Sequence, residues 1–310
     1  MSYPDWRGQK GKLLQQNKFQ KMAGIESYFF VIRNYLKLSS PVCYPVHIGL
    51  INMKFSERIL HSLSRAPETK DYFTNKTEWT LDSSLSLLEN EYPNFGALVS
   101  GKRVVDFGCG IGYQSIALAL KHSCSVVGID SNKKILLEAI ERAGSYNIAK
   151  SRVCFLDKIS DSMLCKFDIV ISQNSFEHFD NPLKIIGEMK SLIKDSGKLL
   201  LTFGPPWLSP YGSHMHFFCK VPWINVFFSE NTVMNVRARF RSDGATKYED
   251  VESGLNKMTI AKFEKIIAAS NLMIEFKRYR CVKGINLLSK LPFLREFFVN
   301  RISVILSNFN

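Results

Sequence analysis

Three glycines at alternate positions, Gly108, Gly110 and Gly112, follow directly on the apolar, acid-containing run Val104-Val105-Asp106-Phe107, and no other segment constrains the chain as much. A β-rich run that ends in such a turn and continues into a helical segment reads as the first βα unit of a parallel sheet. Glycine lets backbone amides approach a ligand, and the helix that follows presents unpaired N–H groups and the positive end of its dipole. The turn is therefore a candidate ligand cradle. The acid two residues before Gly108 would repel a pyrophosphate and suits a cationic amino group better. A dinucleotide fingerprint, G-x-G-x-x-G/A, needs a small residue at 113 or 115, where the chain has Tyr113 and Ser115.

From residue 101 onward, short β-rich runs alternate with helical segments. Strands are expected over 103–107, 125–130, 152–156, 167–172 and 198–203, the last apolar throughout as a central buried strand should be. A helix over 114–121 follows the glycine turn, and the next carries Ile135, Leu136, Ala139 and Ile140 at helical spacing. Pro182 opens another with Leu183, Ile186, Met189 and Ile193 on one face, and a helix capped by Thr259 precedes a strand over 273–279. These elements predict an α/β fold: a Rossmann-like, seven-stranded, mostly parallel sheet with helices on both faces. Four regions follow: a helical extension over 1–95 with helices near 18–38 and 80–91, a core over 96–204, an insertion over 205–258, and a completion of the core over 259–310. The insertion holds Trp207, Tyr211, Phe217, Phe218, Trp223, Phe227, Phe228 and Phe240 among four prolines, and reads as a substrate lid after strand five.

Charge narrows the partners without choosing one. The formal net charge is +13, and residues 1–60 hold nine Lys/Arg against three Asp/Glu, which favours an anionic substrate, a nucleic acid or a membrane surface. Seven cysteines without a C-x-x-C pair point away from a disulfide framework or a common zinc site. The first residues lack a signal-peptide apolar region and no apolar run reaches the roughly 18 residues of a membrane span, so a cytoplasmic location is expected. Residues 287–306 interleave Lys290, Arg295 and Arg301 with Leu, Phe, Val and Ile, and read as an amphipathic tail that packs on the lid or contacts the inner membrane face.

The glycine turn, together with two further marks, resembles the class I S-adenosylmethionine-dependent methyltransferases, whose first motif has the form D-x-G-x-G-x-G. Val126-Val127-Gly128-Ile129-Asp130 places an acid at the end of the second strand, where that family holds the ribose hydroxyls. Phe167-Asp168-Ile169-Val170-Ile171-Ser172-Gln173-Asn174-Ser175-Phe176-Glu177-His178 is similar to the strand-four segment of the UbiE-like, type 11 group. The resemblance implies S-adenosyl-L-methionine as cofactor, held by Asp106, Gly108, Gly110, Gly112, Asp130, Asp157 and Asn174, with no metal. It implies methyl transfer to a small-molecule, lipid-linked or saccharide acceptor at oxygen; of the histidines expected nearest the pocket, His214 in the insertion is the preferred candidate base, and His178 is the second, as readily an organiser of the loop after strand four. Each histidine could equally be a packing or loop-anchoring residue. Gly204-Pro205-Pro206-Trp207 is similar to the base-methylating N/D-P-P-Y/F motif but follows strand five instead of strand four, which disfavours nucleic acid. An RNA methyltransferase and a non-catalytic S-adenosylmethionine-binding protein stay as alternatives.

Overall fold

The computed structural model of the protein describes residues 53–65, 80–251 and 254–309. The helix expected over 18–38 lies outside them. The described residues from 54 onward belong to one compact unit, which holds the following elements.

Helices α1 (Phe55–Ser62), α2 (Leu81–Glu91) and α3 (Phe95–Val99) precede the sheet. The Thr80 hydroxyl accepts from the Ser83 amide and so fixes where α2 begins. Then β1 (Arg103–Phe107), α4 (Tyr113–His122), β2 (Ser125–Ile129), α5 (Lys133–Ser145), β3 (Val153–Leu156) and β4 (Phe167–Gln173) follow in the expected alternation. Next come α6 (Pro182–Leu192) and β5 (Ile193–Phe203), then α7 (Ile224–Phe227) and α8 (Glu230–Arg237) within the insertion. The chain closes through α9 (Ile260–Ala269), β6 (Leu272–Cys281), α10 (Pro292–Phe298) and β7 (Val299–Asn308).

The seven strands lie in the order β3-β2-β1-β4-β5-β7-β6. Strands β1 to β5 pair in parallel, and β7 runs antiparallel to both β5 and β6, so β6 points the same way as the first five. The carboxyl ends of six strands therefore share one edge of the sheet. The strand order reverses between β1 and β4, and in open α/β sheets that is where ligands sit.

Side chains of alternate residues face opposite sides of each strand. Val105 joins a buried cluster with Ile186, Met189 and Phe263 under α6 and α9, and Val104 joins another with Leu85, Leu88 and Leu118 under α2 and α4. Helix α2 is locked to its face by polar bonds as well. The Tyr92 and Thr202 hydroxyls lie 2.6 Å apart, and the buried Glu91 carboxylate meets Arg280 at 2.8 Å and accepts from the Ser303 hydroxyl at 3.1 Å.

Two expectations are corrected here. Ile193 opens β5 opposite Phe167 instead of closing the helix before it, and Leu183 is exposed, so the buried face of α6 is Pro182, Ile186, Met189 and Leu192. The amphipathic tail expected over 287–306 is corrected in part. Its second half is β7, inserted between β5 and β6 with Ile302 to Leu306 buried, because a strand with neighbours on both sides and helices on both faces needs a near-continuous apolar run.

The insertion between β5 and α9 has a packed interior. Phe218 stacks on Phe240 with ring centroids 5.3 Å apart, and buried Arg237 donates twice to Asp243, at 2.7 and 2.5 Å. Helix α1 is bound to α8 through Ser56 with Thr232 (3.1 Å) and through Asn235 donating to Glu57 (2.8 Å). Of the insertion's aromatic residues named above, Phe218 is buried in this core, Phe227 is exposed, and the others are part-buried.

Helix α4 packs closely on its neighbours because residue 112 carries no side chain. A Cβ there would stand 2.8 Å from the Phe155 ring and 2.9 Å from Ala139 Cβ, at a φ of +82°. Gly112→Ala is expected to cost about 2–4 kcal/mol of stability through backbone strain and overpacking. A lowered urea midpoint with an unchanged slope would register it; an unchanged midpoint would remove the packing argument.

Candidate active site

The glycine turn is held at both ends and open in the middle. The amides of Gly108 and Cys109 both donate to Ile129 O, at 2.8 and 3.1 Å, tying the turn to the end of β2. The Arg142 guanidinium reaches from α5 to donate to Ile111 O and lies 4.3 Å from the centre of the Tyr113 ring. Gly110 has a φ of +51°, and a Cβ built on it would meet nothing within 4 Å. An uncovered left-handed residue beside a helix N-terminus is the form a ligand cradle takes.

Asp130 stands next to that opening. One carboxylate oxygen accepts from the Gly110 amide at 3.0 Å and the other from the Asn132 amide at 2.9 Å. Asn132 in turn caps α5, its side-chain oxygen accepting from the amides of Lys134 and Ile135. A carboxylate offers about four acceptor positions. Two here remain for hydroxyl donors.

Asp106, expected to face an amino group, is fully enclosed at the end of β1. Its oxygens accept from the Ser115 hydroxyl at 2.6 Å and the Gln114 amide at 2.7 Å. Burial pushes its carboxyl up to about 6, against the pull of those two donors, and the nearby Asp130 charge adds to the rise. Asp106 thus anchors the first turn of α4 and sets negative charge beneath the cradle. Asp157 is ion-paired with Lys133 at 3.2 Å, and that hydrogen bond holds its carboxyl below the usual range. Asn174 leaves β4 at a φ of +52°, with its amide donating to Thr202 O at 2.7 Å and its side chain exposed.

The loop after β4 is clamped from the far end of the insertion. Asn256 donates through its side chain to Phe176 O and Phe179 O, both at 2.9 Å, and through its backbone to Glu177 O at 3.0 Å. His178 Nδ1 lies 2.7 Å from Gly254 O. A carbonyl only accepts, so Nδ1 carries the proton and Nε2 is left as the acceptor. The His214 ring meets that of His178 edge-on, 5.7 Å between centroids. Burial, and then the neighbouring His178, lower the His214 ring to about 4, so it is neutral at pH 7. His216 lies against Tyr211, 4.0 Å between centroids, and burial lowers it as well. Glu177 is buried, with one oxygen 3.4 Å from the Gly204 amide, and burial raises its carboxyl.

Several buried polar atoms on these loops have no partner among the described residues: Ser172 Oγ, Gln173 Oε1, Glu177 Oε2, Ser209 Oγ and His214 Nε2. All five lie at the end of β4 or on the loops that follow β4 and β5. Buried polar atoms are ordinarily hydrogen-bonded, so such a group marks a place where a ligand or water completes the structure. Gln114, Ser115, Arg142 and Asn256 were not read from the sequence as site residues. Only their contacts identify them.

The reversal of strand order, the open cradle and the acid after β2 lie together on one edge of the sheet. Residues 98–204 match the model of a family described as a methyltransferase domain. The chain is similar to the ubiquinone biosynthesis O-methyltransferase of Coxiella burnetii (strain Dugway 5J108-111), 33% identical over 104 residues, which is 34% of this chain and 44% of that protein. It is 28% identical over 114 residues to the mitochondrial ubiquinone biosynthesis O-methyltransferase of Dictyostelium discoideum, covering 34% of this chain and 36% of the other. The alignments thus span less than half the length of these curated relatives. Among solved structures, an S-adenosylmethionine-dependent methyltransferase from Mesorhizobium loti is 16% identical with a TM-score of 0.46, covering 73% of this chain and 99% of that one.

Proposed function

We propose that the protein transfers the methyl group of S-adenosylmethionine to an oxygen of a small acceptor, lipid-linked or saccharide in character. The observation that carries this is the uncovered cradle at Gly110, with the spare acceptor positions of Asp130 directly beside it. The names of the similar O-methyltransferases support oxygen as the atom methylated.

Bound S-adenosylmethionine would supply a methyl group already activated by its sulfonium. The protein's part is to hold, orient and desolvate. Asp130 accepts hydroxyl hydrogens from the ribose, the charge of Asp106 attracts the amino end, and Asp157 and Asn174 border the same edge. His178 takes the acceptor's proton at Nε2, since its Nδ1 proton is committed to Gly254 and its ring is part-exposed. His214, the base preferred on the sequence, is the poorer one, because burial holds it near 4 and seals its free nitrogen. The insertion covers the acceptor side.

Calorimetry with S-adenosylhomocysteine tests the cofactor half. One-site binding is expected at pH 7 to 8, weakening by up to about tenfold per pH unit below about 6, where Asp106 gains a proton and its charge is lost. Folded protein that does not bind would overturn the reading. Cell extract supplied with labelled methyl donor tests the other half: label should partition with lipid or polysaccharide. Label in RNA would favour the alternative acceptor, and binding without any incorporation would favour a non-catalytic role.

A further inference from the structure

The connection between β6 and β7 carries an apolar surface that nothing among the described residues covers. Ile285, Leu287, Leu291 and Phe293 are 53%, 69%, 51% and 74% exposed. Scattered exposed apolar side chains are ordinary, but here four fall within nine residues of one connection. Val226 and Phe227 of α7 are exposed too, and α7 is brought alongside by Trp223, whose ring meets that of Phe298 edge-on at 5.9 Å.

The charge on this face has one sign. Residues 282–295 include Lys283, Lys290 and Arg295 and no acid, and both lysines are exposed. Arg295 is turned inward onto Glu264 at 2.6 Å, and Glu296 accepts from the amides of Ile260 and Ala261 at 3.0 and 2.7 Å. What faces outward is therefore apolar and cationic. A second copy of the chain fits this poorly, because a two-fold contact would gather four lysines with no acid from this connection between them.

We propose that this connection docks on the surface of an anionic lipid bilayer, Ile285, Leu287, Leu291 and Phe293 entering the interface while Lys283 and Lys290 meet headgroup phosphates. Among the described residues no helix is long and apolar enough to cross a membrane. The connection leaves the carboxyl end of β6, the same edge from which the glycine turn, Asp130 and the His178 loop emerge. Docking there turns the active-site edge toward the bilayer, where a lipid-linked acceptor resides. The inference rests on the lipid-linked form of the proposed acceptor, but its test reads vesicle binding with no methyl transfer, so the two fail separately.

The full chain should co-sediment with vesicles of mixed phosphatidylglycerol and phosphatidylcholine, and weakly with phosphatidylcholine alone. Leu287→Ser with Phe293→Ser should lower the partition by about tenfold or more, and Lys283→Glu with Lys290→Glu should abolish the anionic preference. Both double variants should keep the parent's circular dichroism and urea midpoint, which shows that they are folded. No vesicle binding by the parent chain overturns the proposal. So does binding undiminished in both variants, which would assign it to another surface such as the basic residues 1–60. Loss of a dimer on sedimentation in place of lost vesicle binding would make the patch a contact between copies and overturn it equally.

Discussion

His178→Asn lowers kcat by about 10²–10⁴ and leaves S-adenosylhomocysteine affinity at its parent value. The expectation follows from tautomer and access together. Gly254 O fixes the proton on Nδ1 at 2.7 Å and thereby presents a lone pair at Nε2 on a ring that is part-exposed. Asn preserves the donor toward Gly254, so the loop stays clamped while the proton acceptor is lost. The parallel variant His214→Gln separates chemistry from packing. Its ring is neutral above about 4 and its free nitrogen is enclosed, so the loss in kcat should be far smaller, appearing mainly as reduced stability. A labelled-methyl assay on the extract fraction that accepts label gives both numbers. A His178→Asn enzyme within about threefold of the parent would remove proton transfer from His178.

Asp130→Ala weakens binding of S-adenosylhomocysteine by about 1–3 kcal/mol, roughly 5- to 150-fold. Two losses combine in that figure. The ribose hydroxyls lose a charged acceptor, and the Gly110 amide loses the bond that sets the cradle's shape. Asp130→Asn keeps an acceptor for Gly110 and should fall between Ala and the parent. Asp157→Ala should change far less, since its exposed carboxylate is already engaged by Lys133. Calorimetry at one pH and ionic strength orders the three. Equal affinity in Asp130→Ala and the parent would move the cofactor away from this turn.

The sequence made the first five strands and the cradle legible because both signals are local. A glycine repeat after an apolar run reports the turn within nine residues, and the acid at 130 needs only the end of the following strand. The burial of Asp106 was less legible, since its partners Ser115 and Gln114 lie nine and eight residues further on, past the glycine turn, and either could have faced solvent. The clamp on the His178 loop was out of reach. Gly254 and Asn256 lie more than seventy residues downstream, and only the folded insertion brings them back. Strand β7 was hidden by a different ambiguity. Apolar residues interleaved with Arg and Lys suit a helix face as well as a strand, and the run Ile302-Ser303-Val304-Ile305-Leu306 is too short for periodicity to decide. The apolar run bounded by polar residues was the available clue.

Strand β7 lies between β5 and β6 yet is synthesised after both. Until it emerges from the ribosome, the backbone donors and acceptors along β5 from Lys198 to Phe203 have no partner on that side, and neither do those of β6. The nascent chain thus passes through a stage with two open β edges flanking a vacant slot. An unrelated segment of suitable pattern could enter it. Translation speed through codons 282–308, and chaperone cover over that interval, should therefore govern the yield of native protein more strongly than comparable changes upstream.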